Sequence, residues 1–255
     1  MRIATWNIGG GFIESNQKHE YDVEDISYFI EELKSINPDI ACFQEIHVSK
    51  KNDQPKIIAD SLGFQYITTH PIADSHLKDN EKLSISIISR FPIISSKFNL
   101  LPNPNLQFIW RGKTAFSHDK GFMEAVIGYK GIKIKILSGH MVPFRKFGKN
   151  FLDDEFKEIR NQIEKIILHE KIPEIICADM NFDEEIEKLI PNVFDNDFKF
   201  VLKNNPTTPK ERTYDKIIVS KEWKSSNSDI INGKADHFLC FADIDLKNTI
   251  IKIKP

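Results

Sequence analysis

An acidic residue ends a short apolar run in the segment EIICADMNFDEE, residues 174–185. The run from Ile175 to Ala178 has the length and composition of a buried strand, and Asp179 follows it directly. Open α/β sheets bind their ligands at such a rim. If the chain stays extended, Asp179 and Asn181 point the same way, because strand side chains alternate. A carboxylate beside an amide can hold a hard cation, a water or a phosphate; alternatively, Asp179 caps the helix that DEEIEKLI predicts.

The same pattern recurs along the chain. Other strand-like apolar segments begin or end at polar residues, namely Asn7, Glu45, His140, Asp215, Asp236 and His237. Taken singly, each has an ordinary structural explanation as a turn residue, a helix cap, a surface acid or a buried histidine. If all these strand ends share one rim, they assemble two amides, four carboxylates and two imidazoles there.

Apolar spacing predicts the elements that carry these residues. Apolar residues recur at helical spacing in residues 21–36 and 151–170, so both segments are predicted to be helices. Residues 121–140 are predicted to form a hairpin that turns at Lys130 and Gly131. Because hairpins occur beside strand–helix units, the sequence favours a mixed sheet or two packed sheets flanked by helices.

Composition narrows the class of protein. The chain has 255 residues, 40% of them hydrophobic, with 19 Phe for a substantial core. It contains no low-complexity linker or repeat, so we expect one domain over residues 1–255. The formal net charge of −2 argues against a protein that coats nucleic acid nonspecifically, but a nuclease needs only local basic contacts.

The cysteines and the apolar runs bear on location. Cys42, Cys177 and Cys240 each lie within an apolar strand-like run, which predicts reduced thiols and a cytoplasmic protein. No two cysteines are close in sequence, so a zinc site is not expected. The first residues do not form a signal segment, and no apolar run is long enough to span a bilayer. We therefore expect no membrane association, and we expect a monomer.

Six short motifs carry a family resemblance. TWNIGG, FQE, SGH, ADMN, YDKIIVS and ADH resemble the successive motifs of the endonuclease/exonuclease/phosphatase family, from residue 3 to about residue 243. Each motif alone is weak, but six in the family's order are a strong signal. The resemblance implies a four-layer α/β sandwich, with two mixed β-sheets packed face to face and helices outside. It also implies a hydrolase that acts on phosphoester bonds by in-line attack of water.

The resemblance implies a metal site and names its ligands. Glu45 is expected to ligate the metal, with Asn7 beside it and Asp236 as a further acid. Oxygen-only ligation suits Mg²⁺ or Mn²⁺.

The resemblance also implies catalytic roles. Asp179 would orient or deprotonate the attacking water, and Asn181 would donate a hydrogen bond to a phosphate oxygen. His237 would contact the scissile phosphate and accept or donate a proton. His140 would stabilise the charge that builds on the phosphoryl group, paired with Asp215 as its orienting carboxylate.

Substrate contacts are less specified. Family members often carry an Arg before the Gly of the mid-chain strand, where this chain has Lys120, which keeps the charge but loses the fork geometry. Basic residues lie among aromatics in WRGKTAFSHDK and PFRKFGKNF, which makes Trp110 and Arg145 candidates for substrate binding. Arg212, just before Asp215, is a candidate that selects a phosphate. The alternative is a solvated loop whose aromatics fold into the core.

Three functions stay open from the sequence. The first is a metal-dependent phosphodiesterase that cleaves nucleic acid or nucleotide-like substrates. The second is a phosphomonoesterase of a small phosphorylated metabolite. The third is a catalytically silent relative that binds phosphate ligands, against which the intact motif residues argue.

Overall fold

The computed structural model of the protein describes residues 1–15, 19–110, 113–202 and 205–247. Within these ranges the strands are β1 Arg2–Asn7, β2 Phe12–Glu14, β3 Tyr21–Glu24, β4 Ile40–Val48, β5 Tyr66–Asp74, β6 Lys82–Ser89, β7 Ile93–Leu100, β8 Gln107–Trp110, β9 Lys113–Phe116, β10 Gly121–Tyr129, β11 Ile132–His140, β12 Glu174–Asp179, β13 Lys199–Phe200, β14 Asp215–Val219, β15 Trp223–Ile231 and β16 Leu239–Leu246. The α-helices are α1 Ile26–Ile36, α2 Gln54–Leu62, α3 Lys157–Ile167, α4 Ile186–Leu189 and α5 Pro191–Asp195.

The strands form two six-stranded mixed sheets. The first has the order β15-β16-β1-β4-β6-β5, and the second has the order β13-β14-β12-β11-β10-β7. Each sheet contains one parallel pair, β1 with β4 and β11 with β12, and its other neighbours are antiparallel. Helix α1 connects β1 to β4 and helix α3 connects β11 to β12, because a parallel pair needs a crossover connection.

Three apolar clusters hold the layers together. The central cluster joins the inner faces of the two sheets and includes Ile3, Ile87 and Ile136. The second packs α1 and α2 on the outer face of the first sheet, and the third packs α3, α4 and α5 on the second sheet. The architecture is therefore the four-layer sandwich of two mixed sheets and outer helices that the family resemblance implied.

Two helices begin later than the apolar spacing predicted. Residues 21–24 form strand β3, and α1 begins after Asp25, whose side chain accepts a hydrogen bond from the backbone N–H of Tyr28 at 3.1 Å. The helix predicted over residues 151–170 begins at Lys157, after a 3₁₀ turn at 154–156. The apolar residues before each start matched the helical period without lying on a helix.

The hairpin is confirmed, and one long strand had no apolar signal. Strands β10 and β11 pair along their whole length and turn at Lys130, as the sequence predicted. Strand β15 is an edge strand with the sequence WKSSNSDII, in which only Trp223 is buried. A strand that exposes so many side chains lacks the alternation on which sequence patterns depend.

Two further expectations concern the cysteines and membrane spans. Cys42, Cys177 and Cys240 are buried and free of disulfides. Among the described residues, none of the helices is long and apolar enough to cross a membrane.

Candidate active site

The two parallel pairs end at one shared rim. In the first sheet β1 ends at Asn7, and in the second sheet β12 ends at Asp179. Asn7 Nδ2 donates a hydrogen bond to Asp179 Oδ2 at 3.0 Å, so the ends of the two sheets are in direct contact. His140 ends β11 and lies opposite Asp179 in register, with its Nε2 3.6 Å from Asp179 Oδ2. The sandwich therefore brings residues that are far apart in sequence to one place.

Glu45 occupies a strained position near the end of β4. The register with β6 is interrupted between Phe43 and Ile46. Glu45 has a backbone φ of 52°, which residues other than glycine rarely adopt. Such strain costs roughly 1–3 kcal/mol and collects at functional sites. The bulge leaves 20% of the Glu45 side chain exposed, with Oε1 3.5 Å from His140 Nε2. A strand that followed its regular register would not present the carboxylate in this way.

Gln54 braces the backbone around Glu45. Its Oε1 accepts a hydrogen bond from the His47 N–H at 2.8 Å, and its Nε2 donates to the Gly10 carbonyl at 2.7 Å. The His47 ring packs so closely on Gly10 that a Cβ there would lie 2.4 Å from the ring, which requires glycine. The strained strand and the turn after β1 are thereby fixed to each other.

The predicted pairing of His140 with Asp215 is wrong. Asp215 Oδ2 lies 2.8 Å from His237 Nδ1, so this carboxylate orients the other histidine. The reason is register: Asp215 is opposite Asp179 in the antiparallel pair β12–β14, on the side away from β11. Burial alone would lower the pKa of His237, but Asp215 and Asp179 outweigh it and raise that pKa well above its usual value. His237 is therefore protonated at neutral pH.

His140 has Lys120 as its neighbour instead. The Lys120 Nζ lies 3.0 Å from each ring nitrogen of His140, and both side chains are buried. Burial and the adjacent Lys120 ammonium lower the pKa of His140 well below its usual value, so the ring is neutral. Burial also lowers the pKa of Lys120 to about 8. The charge of Lys120 thus lies behind the His140 ring, and its predicted contact with phosphate stays a prediction.

Asp179 lies at the centre of the cluster. Its Oδ2 is 3.7 Å from His237 Nε2, and its Oδ1 accepts a hydrogen bond from the backbone N–H of Asn181 at 2.9 Å. Burial raises the pKa of Asp179 to about 6, against the opposing effect of the His237 charge. The alternative reading as a helix cap is wrong, because α4 begins only at Ile186 and Asp179 does not cap it.

Asn181 reaches the site by a turn rather than along an extended strand. Its φ is 47°, so the expectation of an extended chain from Asp179 to Asn181 is wrong. The Asn181 Nδ2 donates to the Met141 carbonyl at 3.0 Å, which fixes the amide and leaves its second N–H for a ligand. Asparagine tolerates this left-handed conformation better than most residues.

Asp236 presents a buried oxygen to the same space. Among the described residues, its Oδ1 has no hydrogen-bond partner. A Cβ at Gly9 would lie 3.1 Å from this oxygen, so glycine leaves room beside it. Burial raises the pKa of Asp236. A buried carboxylate oxygen without a donor is costly unless a ligand completes it.

A cavity of about 210 Å³ unites these residues. It is lined by Asn7, Glu45, His140, Asp179, Asn181, Asp236 and His237, together with Gly9, Phe12, Tyr21, His76, Leu77, Pro143 and Lys146. Asp215 is fully buried behind His237 and touches the cavity only through that histidine. The structure therefore brings together all eight residues predicted for catalysis and metal binding.

Of the candidate substrate-binding residues, the two arginines lie next to the site. Arg145 and Arg212 line a second, adjoining cavity and share Asp183, at 3.5 Å and 2.6 Å respectively. Trp110 ends β8, but its side chain lies outside the described part of the chain, as do residues 111–112. One aromatic residue of the segment PFRKFGKNF belongs to the hydrophobic core rather than to a substrate surface. This residue, Phe144, is buried against Phe151 and Phe156.

Comparison with known proteins identifies the family. The sequence model that describes the "Endonuclease/Exonuclease/phosphatase family" matches residues 4–237, which is most of the chain. The chain belongs to this family. A search of curated proteins gave no match.

Solved structures show the same fold at low identity. An endonuclease/exonuclease/phosphatase from Beutenbergia cavernae superposes with a TM-score of 0.74 at 15% identity, over 96% of this chain and 71% of that one. The human Nocturnin catalytic domain with bound sulfate gives 0.68 at 19% identity, over 97% and 94%. The mannosyl-6-phosphatase Bt3783 of Bacteroides thetaiotaomicron gives 0.63 at 13% identity, over 96% and 100%. Such identities establish the fold alone.

Members of the endonuclease/exonuclease/phosphatase family are generally hydrolytic phosphoesterases that depend on a divalent metal, although members can be inactive. Two groups at this rim have the chemistry of a metal site. Donor atoms of Asp179, Asp215 and His237 all lie within 4.8 Å of one another. This closeness follows from the hydrogen bond between His237 Nδ1 and Asp215 Oδ2. That bond already occupies one potential metal-ligand atom of each residue.

The second group fits a hard cation better. Glu45 and Asn7 offer a carboxylate and an amide oxygen, and Asp236 adds the buried oxygen that lacks a hydrogen bond. Burial alone would raise the pKa of Glu45, but that pKa lies well below its usual range because the nearby Lys120 ammonium favours the charged form, so the carboxylate is ionised. Oxygen donors with an ionised carboxylate among them are those that Mg²⁺ and Mn²⁺ prefer.

Some lining residues gave no signal in the sequence. Tyr21 and His76 reach the cavity from β3 and from the loop after β5, and neither lies in a family motif. Only the folding of separate loops over the rim places such side chains, so no local pattern could predict them.

Proposed function

We propose that the chain is a divalent-metal-dependent hydrolase of phosphodiester bonds in nucleic acid or nucleotide-like substrates. One observation carries the proposal: Asp179 lies within 3.7 Å of both His140 and His237 and is hydrogen-bonded to Asn7, beside a cavity that Glu45 also lines. A carboxylate between a neutral and a protonated histidine is suited to moving a proton next to an anion.

Asp179 is the group that activates water in this proposal. Asn7 and the Asn181 N–H hold its two oxygens in a fixed orientation, which lets it align a water for in-line attack on phosphorus. A pKa of about 6 keeps it ionised at neutral pH while leaving it basic enough to take a proton.

His237 and Asn181 hold the phosphate. Asp215 fixes the His237 ring through Nδ1, so the protonated Nε2 side faces the cavity and can donate to a phosphoryl or leaving-group oxygen. The free N–H of the Asn181 amide offers a second donor. His140, with the Lys120 charge behind it, stabilises negative charge on the other side of Asp179.

Glu45, Asn7 and Asp236 would hold the metal. A bound Mg²⁺ or Mn²⁺ supplies a Lewis acid that neutralises charge on the phosphoryl oxygens. The protein's own contribution is twofold. The low pKa of Glu45 keeps its carboxylate ionised, and the strained backbone at that residue presents the carboxylate to the cavity.

A second candidate function is hydrolysis of a small phosphomonoester. The observation in its favour is the adjoining cavity of about 390 Å³, which also contains His237. That volume is within the range of pockets for small ligands, about 300–1,000 Å³. A phosphorylated metabolite would fit such a space without any extended groove.

The test is a hydrolysis panel with Mg²⁺, Mn²⁺ or EDTA. The panel contains single- and double-stranded DNA, RNA, bis-p-nitrophenyl phosphate and p-nitrophenyl phosphate. Metal-dependent chain cleavage is the expected result. Release of inorganic phosphate from monoesters alone would favour the second candidate and refute the first.

Glu45→Gln tests whether the metal acts where proposed. We expect it to lower the hydrolysis rate at least about 100-fold and to remove the rise in melting temperature that Mn²⁺ gives the wild type. Glu31→Gln, a change of the same kind on the exposed face of α1, is the control and should behave as wild type. Equal activity and equal Mn²⁺ response in both variants would reject the proposed site, and inactivity on the whole panel would count against both hydrolytic functions.

A further inference from the structure

A second cavity opens directly from the catalytic one. It has a volume of about 390 Å³, and six residues line both spaces, namely Tyr21, Pro143, Lys146, Asn181, Asp236 and His237. A ligand whose scissile phosphate contacts His237 therefore extends naturally into this space. We call this second cavity the basin.

The outer wall of the basin is basic. Arg145, Lys146, Lys210 and Arg212 all line it. Asp183 pairs with both arginines, at 3.5 Å from Arg145 and 2.6 Å from Arg212. One carboxylate offsets one of two guanidinium charges, so the wall keeps a positive excess. Asp183 is not part of the lining, and the acid that does line the basin, Asp236, also lines the catalytic cavity.

Arg212 is fixed relative to the catalytic residues. The backbone of its loop is closed by a hydrogen bond from the Thr207 N–H to the Arg212 carbonyl at 2.6 Å. The Arg212 N–H in turn donates to Thr208 Oγ1 at 3.1 Å. Thr207 Oγ1 accepts a hydrogen bond from the Asp215 N–H at 3.1 Å, which ties the loop to the residue that orients His237. Because the backbone that carries Arg212 is fixed before binding, less conformational entropy is lost when its side chain meets an anion.

Aromatic side chains lie between the basic wall and the catalytic residues. Tyr21 and Tyr214 both line the basin, and the Tyr214 ring is centred 6.2 Å from the His237 ring. Both rings are partly buried. Aromatic rings of this kind stack against a nucleobase or the apolar face of a sugar.

From this arrangement we infer that the basin binds a second phosphate group of the substrate at Arg145 and Arg212 while the scissile phosphate is at His237. The inference rests on the proposed function and adds a substrate class to it: phosphoesters of nucleoside size that carry at least two phosphates. Arginine suits this role because its planar fork binds phosphate through two hydrogen bonds. The second phosphate belongs either to a bisphosphorylated nucleoside or to the next position of an oligonucleotide.

The test compares substrates that differ by one phosphate. The first pair compares adenosine 3′,5′-bisphosphate with adenosine monophosphate, either the 3′- or the 5′-isomer. The second pair compares the dinucleotide pTpT with TpT. We expect the wild type to show at least about tenfold higher kcat/KM for the richer member of one pair. The first pair responding alone identifies a small bisphosphate, and the second alone identifies an oligonucleotide end. Equal rates within both pairs overturn the inference and leave the proposed function intact.

Variants assign the discrimination to the basin. Arg212→Met and Arg145→Met should each reduce the ratio of kcat/KM between the two members of the preferred pair, and the double variant should bring it close to one. Lys56→Met removes a charge from the exposed face of α2, far along the chain, and is the matched control. A ratio that stays at the wild-type value in the double variant overturns the inference.

A binding arm separates this inference from the proposed function. If the wild type hydrolyses nothing, the proposed function fails, and calorimetric titration with adenosine 3′,5′-bisphosphate decides the inference alone. Binding that is weakened at least about tenfold in the double variant supports the anion subsite. Absence of binding, or equal binding in the variant and the wild type, refutes it.

Discussion

Strands β11 and β12 bury ionisable side chains at both of their ends, but in different ways. At the start of the pair, Lys135 is opposite Glu174 in register, and at the other end His140 is opposite Asp179. Both pairs are almost completely buried. The same two strands therefore allow a direct comparison of buried charge at two sites.

At the start of the strands the two ionisable side chains lie next to each other and away from any ligand cavity. Lys135 Nζ lies 2.8 Å from Glu174 Oε2 and donates to the Ile167 carbonyl at 3.0 Å, at the end of α3. Cations are favoured at the carboxyl end of a helix, where carbonyls lack partners. The pair closes the crossover helix onto the sheet, and among the described residues Glu174 Oε1 has no hydrogen-bond partner.

At the far end the charges face a cavity. Asp179 and His140 are surrounded by side chains that leave donors and acceptors directed at open space, such as the second Asn181 N–H and the Asp236 oxygen. Burial of ionisable groups therefore does not by itself indicate function. What distinguishes the catalytic end is that its groups are oriented by the protein and line a cavity that a ligand can enter.

The largest effect expected is on catalysis, from Asp179→Asn. The amide keeps the size of the side chain but cannot take a proton, so we expect hydrolysis to fall about 10³-fold or more. Stability should stay equal or rise, because burial disfavours the ionised carboxylate, as its pKa of about 6 indicates. Initial rates and thermal melts measure both quantities.

The control for that change is Asp60→Asn on the exposed surface of α2. It should leave both rate and melting temperature unchanged. If Asp179→Asn retained activity within tenfold of wild type, the catalytic end would be no different in kind from the structural end.

The second effect is on stability, from Lys135→Met. Removing one partner of a buried pair costs about 3–5 kcal/mol, because the remaining polar group has lost its partner. We expect a loss of that order in urea unfolding at neutral pH, while the hydrolysis rate per folded molecule is unchanged. The double variant Lys135→Met/Glu174→Leu should recover most of the lost stability. A loss of rate in the single variant at temperatures where it is folded would contradict a purely structural role.

A third effect tests the orientation of His237 through Asp215→Asn. Losing an orienting carboxylate costs about 10–100-fold in activity at comparable sites. Because Asp215 helps raise the pKa of His237, the variant should lower that pKa, and the fall in rate on the alkaline side should begin at lower pH. A pH–rate profile measures this shift; an unchanged profile with a lower rate would mean that Asp215 acts only through packing.

The smallest effect is the pH dependence of stability at the structural end. Burial raises the pKa of Glu174 to about 8 from a usual 4.5. A raised pKa means that the carboxyl contributes stability below pH 4.5 and that this contribution is lost as pH rises towards 8. Relative to Glu174→Gln, which does not titrate, the wild type should lose at least about 1 kcal/mol between pH 5 and pH 8. Parallel urea unfolding curves at the two pH values would show that Glu174 does not titrate there.

Much of the fold could be read from the sequence, because the signals are local. The apolar runs before Asn7, His140 and Asp179 are strands, and each polar residue marks where its strand reaches the rim. The family motifs then supply the topology that single elements cannot. Strand β15 could not be predicted, since an exposed edge strand does not need apolar alternation.

The partnerships within the site could not be predicted. Nothing in the sequence says that Asp215 orients His237 rather than His140, because that choice depends on which side of β12 the strand β14 pairs. The backbone at Glu45 and Asn181 gave no signal either, because a left-handed φ at a residue other than glycine is imposed by its surroundings.

Local patterns in the sequence are enough to establish the residue types at the rim, the strands that carry them and the family to which the chain belongs. The tertiary structure decided which groups touch: the contact of Asn7 with Asp179 across the sheets, Lys120 behind His140, and the basic basin beside His237. The physical reason is that strand ends are set by local patterns of burial. Partners and protonation states depend instead on distances of a few ångströms between segments that only the packed sandwich brings together.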